Sequence, residues 1–316
     1  QGLEPGLLGR MARLALPFHR ALLERAARQG RGWRPEVKIP PVESGVDSAF
    51  PQAGKIMLEE VFGQGKLLAR ALGQGYEARG EQLEMAREVM QAFRDDQYLC
   101  IEAGTGTGKS LAYLAPAILW ARENRERVLI STHTKTLQEQ LYGKDVPILR
   151  SAIGDFSVSV LKGRNNYLCW RRWLEVQLHP DLYLTPDERE EAMIVCRWAE
   201  GTAIGDVAEH RGFSPSRAPG LWGKICSDHT ACHNHRCRYH QKCFMLQARR
   251  RAEESDLVII NHSLLFTDLM SPGGILPDYQ RLVIDEAHNI ERTATDFLGY
   301  GRSEERRVGK ECRSRW

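Results

Sequence analysis

The sequence predicts an α/β fold in which helices cover a largely parallel β-sheet. Short apolar segments of strand length alternate with helical segments, and most of them are apolar throughout, as is typical of strands buried on both faces. A Gly-rich turn also joins one apolar segment directly to a helix. The predicted strands are 98–101, 128–131, 156–161, 257–260 and 282–284, and the predicted helices include 85–93, 109–121 and 135–141.

The composition excludes several classes of protein. The 316 residues are 42% hydrophobic and 27% charged, which suits a globular chain of about two domains and not a disordered one. The longest apolar segment, 111–121, is much shorter than the ~20 residues that span a bilayer. The sequence shows no secretion signal, so the eight cysteines are expected to bind metal or to be free thiols. We therefore expect a cytoplasmic protein. A net charge of +3 means that any nucleic-acid signal must be local.

The sequence pattern divides the chain into five segments. They are helices (7–14 and 17–29) with a Pro-rich linker at 1–54, an α/β domain in two parts at 55–162 and 256–301, an insertion at 163–255, and a tail at 302–316. The insertion is too long for a structureless loop, so we expect a subdomain. The tail has nine charged residues and no periodicity, and we interpret it as non-native. The N-terminal helices are interpreted as the remnant of a preceding domain.

A phosphate-binding loop follows the first predicted strand and opens a helix. Its residues are Ala103, Gly104, Thr105, Gly106, Thr107, Gly108, Lys109 and Ser110. The backbone N–H groups of such a loop and the helix N-terminus bind phosphate. Lys109 is expected to reach the β- and γ-phosphates of ATP, and Ser110 to bind Mg²⁺. Ala103 departs from the pattern, in which the first position is usually Gly.

A second motif places two acids at the end of an apolar strand. Leu-Val-Ile at 282–284 is followed by Asp285, Glu286, Ala287 and His288. We expect Asp285 to hold Mg²⁺, Glu286 to orient or deprotonate the attacking water, and His288 to belong to the nucleotide-binding site. Together with the phosphate-binding loop, this motif predicts a nucleoside triphosphatase.

The Asp-Glu-Ala-His sequence resembles that of superfamily 2 helicases, in which Ala at the first loop position is also familiar. The segment 76–82 resembles the Q motif of these helicases. That resemblance implies that Gln82 reads the adenine edge, with Arg79 nearby and Tyr76 stacking. A surface glutamine and a turn tyrosine are the alternative interpretation.

The segment 130–140 resembles motif Ia of the XPD and DinG helicases, with hydroxyl and amide groups at a strand end and helix start. Such groups suit contacts to DNA phosphates. The alternative is a capped helix, with Thr134 as the N-cap and with Gln138 and Gln140 solvated.

The insertion contains a distant cysteine and a cysteine cluster. Cys169 follows a predicted strand, and Cys232, Cys237 and Cys243 follow with four and five residues between them. Such a set of thiolates suits an iron–sulfur cluster or zinc. The pairs separated by two residues that zinc sites commonly show are absent from this set. Cys226 is an alternative to Cys232, and four nearby histidines keep a mixed Cys/His zinc site open. Cys100 and Cys196 are expected to be buried thiols.

These segments together resemble the DinG and XPD family of helicases, including its YoaA-like members, over residues 56–300. The resemblance implies a RecA-like motor domain with an inserted 4Fe–4S subdomain, ligated by Cys169, Cys232, Cys237 and Cys243. It also implies ATP-driven 5′ to 3′ unwinding of forked DNA in repair or replication. The second motor domain is absent, so we expect a truncated fragment that unwinds nothing alone. An exonuclease domain before residue 1 is an open alternative.

A local basic segment accompanies the cysteines. Residues 232–251 contain six Arg or Lys and no Asp or Glu, interleaved with Tyr239 and Phe244. This pattern favours single-stranded DNA passing over a stacking surface, with a solvated helix face as the alternative. Rival functions are a P-loop ATPase without strand separation and a non-catalytic DNA-binding module with a redox-sensing subdomain.

Overall fold

The computed structural model describes residues 56–73, 77–104, 108–210, 212–271 and 274–298, together with Met11. Within this part of the chain, the residues form two compact units. We call the described residues of Lys55–Val160 and Ser255–Trp316 the sheet unit, and those of Leu161–Glu254 the cysteine unit. Apart from Met11, the helices predicted at 7–14 and 17–29 and the tail at 302–316 lie outside the described residues.

The sheet unit is built on four parallel strands in the spatial order β2-β3-β1-β4. The strands are β1 (Val128–Thr132), β2 (Val158–Val160), β3 (Leu257–Asn261) and β4 (Arg281–Ile284). In register, Val128 lies opposite Leu257 on one side and Arg281 on the other. Every residue of β1 is buried, because this strand has a neighbour on both sides and helices over both faces. The predicted α/β class and parallel sheet are therefore confirmed.

Helices of the sheet unit pack against these strands around one apolar core. They are α1 (Leu58–Phe62), α2 (Leu67–Leu72), α3 (Gly80–Asp95), α4 (Lys109–Asn124), α5 (Lys135–Gln140), α6 (Val146–Ile153), α12 (His262–Leu269) and α13 (Ile290–Leu298). A π-helical turn, Leu141–Asp145, joins α5 to α6. The helix α4 is buried from Leu111 to Ala121, which explains why its sequence is apolar on all sides.

The cysteine unit is mostly helical. Its α-helices are α7 (Trp170–Leu178), α8 (Pro180–Tyr183), α9 (Pro186–Gly201), α10 (Pro219–Ile225) and α11 (Phe244–Glu253). The helix α9 begins with a capping box, in which Thr185 accepts from the Glu188 N–H and Glu188 accepts from the Thr185 N–H. Trp222 packs against Trp198 and Phe213 with tilted rings, at 6.4 Å and 5.8 Å between ring centroids. These aromatic contacts give the unit a core of its own.

The strand predicted at 98–101 is absent, which corrects the sequence-based interpretation. Tyr98 is fully exposed, and Leu99 and Ile101 are 43% and 37% exposed. An apolar segment becomes a strand only when its backbone finds a ladder partner, and β4 is an edge strand among the described residues. Cys100, predicted to be a buried thiol, is accordingly exposed, whereas Cys196 is buried as predicted.

Candidate functional site

The end of the phosphate-binding loop is held by the start of helix α4. Gly108 precedes the helix with φ at +76° and ψ at 33°, and Lys109 and Ser110 form the first helical turn. Only glycine adopts this left-handed conformation without strain. A Cβ atom at position 108 would also lie 2.2 Å from Nε2 of Gln82. Ala103 and Gly104, the first two residues of the loop, are among the described residues, whereas Thr105, Gly106 and Thr107 lie outside them.

Gln82 fastens helix α3 to this loop. Gln82 is only 4% exposed, and its Nε2 donates a hydrogen bond to the Gly108 carbonyl at 2.9 Å. The adenine-reading role expected for Gln82 is not tested by this contact. Arg79 lies at the exposed N-cap of α3, and Tyr76 lies outside the described residues.

Asp285 lies one residue beyond β4, at the carboxyl edge of the sheet. Its N–H donates to the Ser131 carbonyl at 2.8 Å, which continues the β1–β4 ladder by one step. The Thr132 hydroxyl donates to its carboxylate at 3.4 Å. Burial, followed by the neighbouring Glu286 carboxylate, raises the pKa of Asp285, and the Lys109 ammonium opposes that rise. The structure thus brings the lysine of the loop and the first acid of the second motif to one site.

Glu286 occupies a left-handed backbone conformation, with φ at 55° and ψ at 44°. For a residue with a Cβ atom this conformation costs about 1–2 kcal/mol, a local strain often found at functional sites. His288 Nδ1 lies 3.4 Å from the Glu286 carboxylate. The side chains of Glu286 and His288 are 34% and 73% exposed, so both are open to solvent at the sheet edge.

Two buried polar residues near the loop were missed by sequence reasoning. Tyr113 is 3% exposed, and burial, with the Asp285 charge, raises the pKa of its hydroxyl well above the ordinary value. Asp145 is 6% exposed and lies close to Ser110 and Asp285. One signal could have found Asp145. It occupies an inward position between the buried residues Leu141 and Leu149, where an apolar side chain is expected.

The motif Ia segment is more buried than either interpretation assumed. Thr134 is the N-cap of α5, and its hydroxyl accepts from the Leu137 N–H at 3.2 Å, so this part of the capped-helix prediction is confirmed. Gln138 was expected to be solvated or to contact DNA. Instead it is fully buried, and its Nε2 lies 3.4 Å from the Ile259 carbonyl. Its amide ties α5 to β3 because the helix lies directly against that strand.

The cysteine unit gathers several thiols. Cys169 and Cys243 are the N-cap residues of α7 and α11. Burial raises the pKa of the Cys243 thiol, and Cys169 and Cys232 lie close enough to raise it further. Asn234 donates its N–H to Cys232 Sγ at 3.4 Å. Cys237 is partly exposed in the same segment.

Cys226 lies close to Cys169, and its backbone takes part in a short β-bridge. Cys226 directly follows α10 and pairs with Leu168 in an isolated antiparallel bridge, and the residue is 7% exposed. Burial raises the pKa of its thiol, and the nearby Cys169 adds to that rise. Within the described residues, no three His, Cys, Asp or Glu side chains are arranged to hold a single metal ion.

The basic segment at 232–251 is largely exposed, but its aromatic part is not. Arg236, Arg238 and Lys242 face solvent, and the Arg238 guanidinium lies 5.2 Å from the centre of the Tyr239 ring. Phe244 is fully buried and packs on Trp170 at 5.4 Å between ring centroids. The prediction that Phe244 belongs to a stacking surface is therefore wrong, because its ring fills the core of the unit.

The described helices include none that is both long and apolar enough to cross a bilayer.

A parallel sheet that carries a Gly-Lys-Ser helix start and an Asp-Glu pair at its carboxyl edge defines a P-loop nucleotide-binding unit of the RecA-like class.

Comparison with known proteins agrees with this class and shows similarity to helicases. Residues 83–200 match the DEAD/DEAH box helicase family. The chain is 35% identical over 237 residues to ATP-dependent DNA helicase YoaA of Escherichia coli, covering 73% of this chain and 36% of that protein. It is 38% identical over 230 residues to the protein named 3′-5′ exonuclease DinG of Bacillus subtilis, covering 71% of this chain and 24% of that protein.

ATP-dependent helicase DinG of Mycobacterium tuberculosis is 34% identical over 248 residues, covering 71% of this chain and 36% of that protein. The chain is thus similar to the DinG and YoaA relatives over 71% to 73% of its length, and its residues 83–200 match the DEAD/DEAH box helicase family. It spans between 24% and 36% of the length of these three relatives.

Proposed function

We propose that this chain forms the first motor domain of an ATP-dependent DNA helicase, which couples ATP hydrolysis to 5′ to 3′ translocation on single-stranded DNA. One observation carries the proposal: Lys109, at the start of α4, lies close enough to Asp285, just after β4, for its ammonium to oppose the rise in the pKa of Asp285. The loop and the acid pair therefore face one another across the same site. A forked duplex is the proposed substrate, in repair or replication, and a chromosomal substrate implies a cytoplasmic protein.

In this proposal, each residue at the sheet edge has a separate role. The Lys109 ammonium binds the β- and γ-phosphates, and the loop N–H groups orient them. Ser110 and Asp285 would hold Mg²⁺, which neutralises charge on the phosphate oxygens when bound. Glu286 orients the attacking water and accepts its proton. His288, beside Glu286, helps to hold that carboxylate in place.

The fit of this site to Mg²⁺ is supported by its donor set. A hydroxyl and a carboxylate are hard oxygen donors, and Mg²⁺ is usually bound by one or two protein groups, with substrate phosphates and waters completing its octahedron. The rise in the pKa of Asp285 caused by burial and by Glu286 is what a nearby divalent cation would reverse.

The nucleotide part is tested by fluorescence titration of this chain with a mant-labelled ATP analogue. Lys109→Ala is expected to weaken binding at least about tenfold, because one charged phosphate contact is lost. Glu286→Gln is expected to leave binding within about threefold, because Glu286 acts on water and not on the phosphates. Lys135→Ala, an exposed lysine elsewhere in the sheet unit, is the control. Equal binding by wild type and Lys109→Ala would overturn the site.

The hydrolytic part needs a chain restored to the length of the relatives. There, Glu286→Gln should abolish ATPase activity and unwinding while keeping nucleotide binding. DNA-stimulated ATPase activity without strand separation would favour a translocase. Binding of DNA with an ATPase rate unaffected by Glu286→Gln would favour a non-catalytic DNA-binding module. Strand displacement from forks with 5′ or 3′ single-stranded tails would report the polarity.

We further propose that Cys169, Cys232, Cys237 and Cys243 hold a 4Fe–4S cluster. The supporting observations are the thiolate donor set and the influence of Cys169 and Cys232 on the pKa of Cys243. Iron, zinc and acid-labile sulfide should be measured after anaerobic purification. Loss of iron and sulfide in Cys237→Ser but not in Cys226→Ser would support this ligand set. Zinc without sulfide would overturn the cluster.

The exposed cations of 232–251 are proposed to contact the DNA backbone. Their support is local charge and exposure, since each neutralised phosphate contact makes affinity depend on salt. Fluorescence anisotropy with a labelled oligothymidine should give weaker binding for Arg238→Ala and a shallower salt dependence. An unchanged affinity would assign these cations to a solvated surface.

A further inference from the structure

Asp145 is a buried acid that the assigned roles leave unexplained. It ends the π-helical turn Leu141–Asp145 and is 6% exposed. The residues on its side of the helix, Leu141, Val146 and Leu149, are buried apolar side chains. A carboxylate at such a position is unfavourable unless it is paired or coordinated, and π-helical turns are frequent at functional sites.

The carboxylate of Asp145 is only partly satisfied. Its Oδ2 atom is buried and has no hydrogen-bond partner among the described residues. Its other contact is the Ser110 hydroxyl, a group of the phosphate-binding loop. Half of this buried carboxylate therefore remains available to a donor that the described residues do not supply.

The groups around Asp145 come from three elements. Ser110 and Tyr113 belong to α4, Asp285 follows β4, and Lys144 lies beside Asp145 on its own turn. Burial raises the pKa of Asp145 and Asp285 raises it further, whereas Lys144 and Ser110 lower it. Two acids that repel each other beside one hydroxyl form a setting that a divalent cation stabilises.

We propose that Asp145 is a positioning residue of the Mg²⁺–nucleotide site, where its free carboxylate oxygen accepts a hydrogen bond from a water on the cation. This inference rests on the proposed nucleotide site and deepens it. An indirect contact suits Mg²⁺, which keeps several waters when bound.

A structural role makes a different prediction. If Asp145 only ties the π-helical turn to α4 through Ser110, its removal weakens nucleotide binding equally with and without the cation. If it holds a water on the cation, only the gain in affinity caused by Mg²⁺ falls. Asp145→Asn separates the two, because the amide keeps the shape and an oxygen acceptor for Ser110 but loses the charge.

The test is titration of the whole chain with mant-ADP, first in EDTA and then in excess Mg²⁺. Groups that support metal ligands typically contribute 10–100-fold to metal affinity. Asp145→Asn should therefore lose about tenfold or more of the Mg²⁺-dependent gain while its affinity in EDTA stays within about twofold. Asp155→Asn removes an exposed acid of the same unit and is expected to match wild type in both buffers.

Each result decides the proposal. An equal loss in EDTA and in Mg²⁺, or a full Mg²⁺ gain in Asp145→Asn, overturns the role of Asp145 and leaves the nucleotide site standing. A wild-type chain that binds no nucleotide overturns the site and the role of Asp145 together. If circular dichroism shows that Asp145→Asn is unfolded, Asp145→Ser is measured instead, with the same expected and contradicting results. Electron paramagnetic resonance of Mn²⁺ with ADP gives a second readout, which should show weaker Mn²⁺ retention in the variant.

Discussion

The side chains of Ser131 and His262 meet at 2.7 Å between Oγ and Nδ1, and both residues are fully buried. Ser131 lies in β1 and His262 begins α12 directly after β3, so the contact joins neighbouring strand ends. Burial lowers the pKa of His262, and the nearby backbone of Glu286 opposes the lowering. The pair thus lies directly beneath the turn that carries the acid pair.

Loss of the Ser131 hydroxyl should destabilise the sheet unit. Ser131→Ala leaves a buried imidazole nitrogen unsatisfied, so we expect the free energy of unfolding to fall by about 1–3 kcal/mol. The double variant Ser131→Ala with His262→Phe should lose less unfolding free energy than the sum of the two single variants, because both partners of the hydrogen bond are then removed. Urea denaturation measures both effects. Ser151→Ala, at an exposed serine, is the control, and strict additivity would contradict this account.

Gly108→Ala should impair nucleotide binding. The new Cβ would meet Gln82 Nε2 at 2.2 Å in a left-handed backbone, and the strain of about 1–2 kcal/mol corresponds to roughly tenfold in affinity. Titration with mant-ATP measures the change. At Gly143, a Cβ atom would meet nothing within 4 Å, so Gly143→Ala is the matched control. An undiminished affinity in Gly108→Ala would show that the loop binds nucleotide in another conformation.

The cysteine unit depends on a buried ion pair. Lys162 Nζ lies 2.7 Å from Asp206 Oδ2, with the two side chains 5% and 9% exposed. Asp206 also accepts the Ala208 N–H at 3.0 Å. Lys162→Met leaves a buried carboxylate without its cation, so we expect a loss of about 3–5 kcal/mol in the free energy of unfolding.

Denaturation followed by tryptophan fluorescence tests the ion pair. The double change Lys162→Met with Asp206→Asn should lose less than the sum of the single changes, since the charge left behind is removed as well. Lys242→Met, at an exposed lysine, should change stability by less than about 0.5 kcal/mol. A similar small effect for Lys162→Met would refute the importance of the pair.

Glu188 should make the stability of the cysteine unit depend on pH. Burial favours a higher pKa for Glu188, but the hydrogen bonds from Lys224 and from the Thr185 N–H outweigh it and hold the pKa below its ordinary value. A carboxylate with a lowered pKa stabilises the fold above its unfolded pKa of about 4.3 and loses that effect as the pH falls through the folded value.

Glu188→Gln tests this dependence. The variant should lose about 0.5–1.5 kcal/mol of unfolding free energy near pH 7, and the difference from wild type should shrink towards pH 3. Thermal melts at several pH values measure it. Glu190→Gln, at an exposed acid of the same helix, should show no such trend. A constant difference between Glu188→Gln and wild type across the range would exclude the ionised carboxylate as its cause.

The strands β1 and β3 could be predicted because continuous runs of β-branched and aliphatic residues suit a sheet covered on both faces. The end of the phosphate-binding loop was predictable because a left-handed Gly108 before Lys109 is a local requirement. The conformation of segment 98–101 could not be predicted, because its exposure depends on whether it pairs with a strand such as β4 at the sheet edge.

The sequence by itself determined the α/β class, the nucleotide-binding motif and the presence of a cysteine-rich insertion, because each follows from the order of neighbouring residues. Only the tertiary structure decided that Phe244 is core and that Asp145 and His262 are buried polar groups beside the acid pair. Ser131 and His262 are separated by 131 positions in the chain. Burial and hydrogen-bond partners at such separations arise from packing between elements, which no local pattern of residues encodes.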